Sequence, residues 1–158
     1  MSLPRKKKHY EEMMVRMTRA IEREFYLEAS WYAYAILEDR MIAILHRSGG
    51  AHEKKHKTKL MRNFGRKLEV IDKRRKRDSL LKVNFSDSSI KALKTWKDER
   101  NDLMHAMANA AIPLSTIDTK ARLLATNGRV LVKEMCRAQR RLKKHRHQIP
   151  TPAKPFPY

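Results

Sequence analysis

The chain has 158 residues, 41% of them apolar, and 37 Lys and Arg against 17 Asp and Glu, a formal net charge of +20. That length fits one domain with a modest core, and so basic a balance points to polyanions, nucleic acid above all. The single cysteine, Cys136, excludes an intrachain disulfide and suits a reducing cytoplasm.

Four Gly and abundant Leu, Ala, Met, Lys and Arg make a helical composition, and no stretch alternates as a half-buried strand does. The fold class expected is all-α, an up-and-down bundle of four to five helices. Residues 1–9 read as a basic disordered arm, and no apolar run follows Arg5 to Lys8, so a signal peptide is not expected. Residues 10–147 form the single helical domain.

Tyr10 to Arg47 contains neither Gly nor Pro and carries a helical apolar stripe through Met13, Met14, Met17, Ile21 and Phe25. So long a run predicts a kink, or two helices meeting near Glu22 to Phe25, before Ser48-Gly49-Gly50 stops it. Its apolar part, Phe25 to Leu45, is interrupted by Glu28, Glu38, Asp39 and Arg40, which fits a buried helix and not a membrane span. Tyr26, Trp31, Tyr32 and Tyr34 recur on it, and so apolar a helix predicts a homodimer.

Lys57 to Arg77 has a thinner stripe of Leu60, Met61, Phe64, Leu68 and Ile71. Ser79 to Ser89 read as a connection, with Asn84, Ser86, Asp87 and Ser88 as candidate N-caps. A third helix is predicted from about Ser88 to Ala110, with Ile90, Leu93, Trp96, Leu103 and Met107 inward and Pro113 ending it. A fourth runs from Ser115 or Asp118 to about His145. Leu123, Leu124, Val130, Leu131 and Met135 are its expected buried stripe, and Gly128 an interior weak point. Residues 148–158 contain four prolines and form a tail.

Chemistry concentrates in Asp98-Glu99-Arg100-Asn101-Asp102-Leu103-Met104-His105. Residues four apart share a helix face, so Asn101 and His105 point the same way, with Arg100 one position round. A guanidinium and an imidazole together offer a phosphate clamp and a general base. The plainer reading is a His at a helix end and an Arg in a surface ion pair with Glu99 or Asp98. Two basic clusters, Lys73-Arg74-Arg75-Lys76-Arg77 and Arg137, Arg140, Arg141, Lys143 and Lys144, are expected to contact nucleic-acid phosphates. Helix-dipole complementation accounts for only one or two charges per helix end. His52 and His56 make at most half a metal site, no Gly-rich phosphate loop exists, and no metal or other cofactor is expected. Cys136 has basic neighbours that could lower its pKa, although an inert helix cysteine is the simpler reading.

The word Arg100-Asn101-Asp102-Leu103-Met104-His105, on the penultimate helix of an all-α chain, resembles the HEPN domain family, whose motif is Arg, four to six residues, then His. The resemblance spans roughly residues 10–145. It implies a metal-independent endoribonuclease in which Arg100, Asn101 and His105 of two subunits line one cleft, and RNA is cut by attack of its 2′-hydroxyl. Toxin or phage-defence roles, with an antitoxin or other partner protein, belong to the same implication. The alternatives are a non-catalytic nucleic-acid-binding protein, and a small regulatory module that uses the Pro-rich tail.

Overall fold

The computed structural model describes residues 3–48 and 63–148. They form six helices and, among the described residues, no strand. In chain order these are α1 (Leu3–Glu22), α2 (Tyr26–Arg47), α3 (Phe64–Arg75), α4 (Ser79–Asn84), α5 (Asp87–Ala108) and α6 (Leu114–Gln148). The all-α bundle expected from composition is therefore present. His52, His56, Leu60, Met61 and the Pro-rich tail from Ile149 onward lie outside the described residues.

α1 begins at Leu3, so residues 3–9, read from the sequence as an arm, are continuous with the first helix. Pro4 sits in the first turn, where its missing N–H removes no helical hydrogen bond, and nothing up to Glu22 interrupts the ladder. The break between α1 and α2 falls in the predicted place. Glu24 takes a left-handed φ of 61°, Phe25 N–H donates to the Ala20 carbonyl at 2.8 Å, and Glu24 N–H to that of Ile21 at 3.1 Å. This is a Schellman closure with a glutamate where glycine is usual. α5 ends the same way: Ala110 has φ 49°, and Ala111 N–H reaches the Ala106 carbonyl at 2.9 Å. Pro113, expected to end that helix, instead opens the next, its carbonyl accepting from Thr116 and Ile117 N–H.

The segment expected as a plain connection contains α4. Asp78 caps it by accepting from Leu81 N–H at 3.0 Å, and Leu81 is buried. Ser86 then caps α5 through Ser89 N–H at 3.1 Å.

α2 lies at the centre, packed by α1, α3 and α6, and Ala29, Ala33, Ile36, Leu37, Met41 and Ile44 are closed from water. Its apolar surface, the reason for expecting a dimer, is thus largely covered within one chain. α6 presents Ile117, Ala121, Leu124, Leu131, Met135, Ala138 and Leu142 to the core at steps of three, four and seven residues. Leu123 and Val130, assigned to that stripe from sequence, are instead more than half exposed. Each neighbours a core residue, and a turn of 100° per residue carries it out of the seam. Gly128 is no weak point. A Cβ there would lie 2.9 Å from Ala33 Cβ and 3.0 Å from Trp96 Cζ2. Trp96 is buried against this turn and donates its indole N–H to the Leu124 carbonyl at 2.8 Å.

Candidate functional site: the Arg100 helix and the basic end

Ile90, Leu93, Trp96 and Leu103 turn one face of α5 to the core; Arg100 lies on that face between Trp96 and Leu103, and Asn101 and His105 turn away from it. Arg100 is half-buried. Its guanidinium lies 4.3 Å from the centre of the Tyr34 ring and 5.1 Å from that of Trp31, both on α2. Such stacking holds a cation through the ring quadrupole without neutralising it. Its Nε is enclosed and has no hydrogen-bond partner, and its Nη1 makes only a long contact to Asn101 Oδ1 at 3.4 Å. The ion pair with Glu99 or Asp98 does not form: Asp98 pairs with Lys97 at 2.6 Å. The Tyr34 phenol is held above its ordinary pKa by burial, with Glu38 adding to the rise and Arg100 opposing it, so it stays neutral.

His105 stands exposed in the last turn of α5, where its carbonyl accepts from Asn109 N–H at 3.0 Å. Four residues separate it from Asn101, about 40° round the helix, whereas Arg100 lies about 140° away and about 7.5 Å along the axis. Within one chain Asn101 and His105 share a flank, and Arg100 is turned to α2.

The first basic cluster divides. Arg75 is buried and binds Asp72 and Asp87, with its Nε 2.8 Å from Asp72. Arg74 donates to the Ser48 carbonyl at the end of α2. Arg75 and Arg74, expected as phosphate ligands, are therefore committed to structure, because carboxylates and an open helix end lie within their reach. Lys73, Lys76 and Arg77 stay exposed. In the second cluster Arg137, Arg140, Arg141, Lys143 and Lys144 are all exposed. Arg141 Nε also donates to Asn84 Oδ1 of α4 at 2.8 Å, so this half of α6 lies against the helix that follows Arg77.

No protein-family model, curated protein or solved structure matches the chain. Among the described residues, no group of three or more His, Cys, Asp or Glu is arranged to hold a metal, and no helix is long and apolar enough to cross a membrane.

Three polar contacts escaped the sequence reading. Trp31 and Tyr34 form the bed for Arg100; their spacing of three on α2 shows a shared face but not which cation lies on it. Lys67, fully buried, meets Glu38 at 2.5 Å. Cys136 Sγ is hydrogen-bonded to the Tyr10 hydroxyl, whose ring lies 4.1 Å below Arg40. Burial and then Cys136 push the Tyr10 phenol well above its ordinary pKa. The cysteine is thus engaged between α1 and α6, in keeping with a packing role.

Proposed function

We propose that the chain is a HEPN-like, metal-independent endoribonuclease that acts as a homodimer in the cytoplasm. Arg100 carries the proposal. It is a half-buried guanidinium with no carboxylate bound to it among the described residues, cradled by two aromatic rings on the helix that bears an exposed histidine. The charge has been partly stripped of water and left unneutralised, which favours an incoming phosphate.

In the proposed reaction His105 takes the proton of a ribose 2′-hydroxyl. That oxygen attacks the adjacent phosphorus, and the bond to the 5′ oxygen breaks. The second subunit's copy of the same histidine protonates the departing oxygen, leaving a 2′,3′-cyclic phosphate. Arg100 balances the charge that builds on the phosphorane, and Asn101 orients the phosphate or the imidazole. The angle between Arg100 and His105 in one chain is what calls for the second subunit. Toxin and phage-defence roles, with an antitoxin as partner, are the settings this chemistry suits.

The test is cleavage of bulk tRNA and mRNA in EDTA by the wild type, Arg100→Ala and His105→Ala, with sizing in solution. Cyclic-phosphate ends from a dimeric wild type, lost in both variants, support the reading. If none of the proteins cuts, the nuclease is refuted. The same angle favours a second reading, a non-catalytic RNA-binding protein, and RNA binding by a monomer that does not cut would establish it.

A further inference from the structure

We infer that the exposed basic residues at the α3–α4 turn and on the C-terminal half of α6 form one docking surface for the RNA backbone. This surface lies a fixed distance from the Arg100–His105 helix. The inference deepens the nuclease reading and rests on it for the role of that distance.

Three observations carry it. The clusters are some 60 residues apart in sequence, yet α4 packs on α6 and Arg141 Nε holds Asn84 Oδ1 at 2.8 Å. Arg77 immediately precedes the Asp78 cap of α4, and exposed Lys82 lies within that helix, the element that packs on α6. Second, Lys133, Arg137, Arg140 and Lys144 are all exposed and recur at steps of three and four, one stripe along α6, with exposed Arg141 at its edge. Third, a hollow of about 250 Å³ opens where α4, α5 and α6 meet; its floor is apolar, and Asn84, Ser89, Arg137 and Arg141 supply its polar lining, with Glu134 its one acid. Amide, hydroxyl and guanidinium groups around such a hollow suit phosphate oxygens.

α5 sets the spacing. Ser89, at the hollow, is 11 residues from Arg100 and 16 from His105. At 1.5 Å per residue these are about 16 and 24 Å along the axis. A stacked strand advances about 3.4 Å per nucleotide, so about five to seven nucleotides bridge the basic end and the motif. The surface adds affinity only for RNA at least that long.

The test compares two variants that remove equal charge. One carries Arg77→Gln, Lys82→Gln, Arg137→Gln and Lys144→Gln. The other carries Arg19→Gln, Arg23→Gln, Lys120→Gln and Arg122→Gln, exposed residues where α1 ends and α6 begins, at the opposite end of the bundle. Both are placed on His105→Ala, so binding is read without cleavage. The probes are labelled single-stranded RNAs of 3 and 20 nucleotides, titrated at several salt concentrations, with circular dichroism as the check on folding. For the 20-mer, loss of four phosphate contacts makes the slope of log K against log salt shallower by about 3 in the first variant. Affinity near 0.1 M salt then falls on the order of 10²-fold or more, while the second variant stays close to the parent. The 3-mer separates the two variants little. Equal loss in both variants, or equal loss for both RNAs, overturns the inference whatever the outcome for cleavage. Intact RNA affinity alongside lost binding to phosphatidylserine vesicles overturns it in favour of a membrane surface.

Discussion

Replacing Gly128 by alanine sets two well-characterised effects against each other. Alanine is the better helix former by about 1 kcal/mol, and Gly128 lies inside the uninterrupted helix α6. The new methyl carbon, however, would stand 2.9 Å from Ala33 Cβ and 3.0–3.1 Å from two atoms of the Trp96 indole. Neither neighbour is the loose end of a flexible side chain. Ala33 Cβ is fixed to the central helix, and the indole is buried and tied to the Leu124 carbonyl at 2.8 Å. Overpacking of this kind costs about 1–3 kcal/mol. The expected net result is destabilisation of about 1 kcal/mol, a fall in Tm of about 2–4 °C for a chain of this size. Thermal and urea unfolding of Gly128→Ala measure it. Ala33→Gly in the same background removes the shortest contact, so the double variant should show a favourable coupling of at least 0.5 kcal/mol or so. A more stable Gly128→Ala would mean that helix propensity alone governs the site, and the three-helix contact argued above would be refuted.

Arg75→Gln should lower stability by about 1.5–3 kcal/mol, through loss of charged hydrogen bonds to Asp72 and Asp87. Its exposed neighbour Arg77→Gln should stay within about 0.5 kcal/mol of wild type, and urea melts of the pair compare them directly. Burial alone would raise the Asp72 carboxyl, but hydrogen bonds from Lys94 and Arg75 outweigh it and hold the group below the usual carboxylate range. A depressed carboxylate stabilises the fold above its unfolded pKa, and that contribution fades as pH falls from about 4 through the folded value. Asp72→Asn should therefore flatten the acid limb of a stability–pH curve, whereas an unchanged limb would count against the ion pairs. Glu24→Gly should stabilise by up to about 1 kcal/mol, because φ 61° strains an L side chain. A lower Tm in that variant would show that the Glu24 side chain matters more than its backbone.

The sequence carried the helices well and their faces unevenly. α1 and α2 were separable because a run from Tyr10 to Arg47 is too long for one ordinary globular helix, although no Gly or Pro marks the turn. α4 was hidden: six residues give less than two turns of periodicity, and only its cap, Asp78, is a local signal. Leu123 and Val130 were misassigned because adjacent apolar pairs look equally buriable until the angle per residue is imposed along all of α6. Within Lys73 to Arg77 no sequence rule distinguishes the arginine that turns inward. That depends on Asp72 one turn back on the same helix and on Asp87 at the start of α5, beyond α4. The Arg–Asn–His word was legible as a word, but its aromatic bed was not, because Trp31 and Tyr34 lie some 70 residues upstream on another helix.

α6 is continuous for 35 residues, about 52 Å, and it packs against α1, α2, α4 and α5. A nascent chain that has emerged only as far as Pro113 has made every other helix yet still lacks the strut that unites them. Its central α2 has its α6-facing side open, and Trp96 has no carbonyl to receive its N–H. Compaction and the basic stripe then arrive together, on the same element. Under the RNA-binding proposal, the docking surface is thus completed during synthesis only as the fold itself closes, and a chain cut short at Pro113 lacks the α6 half of it.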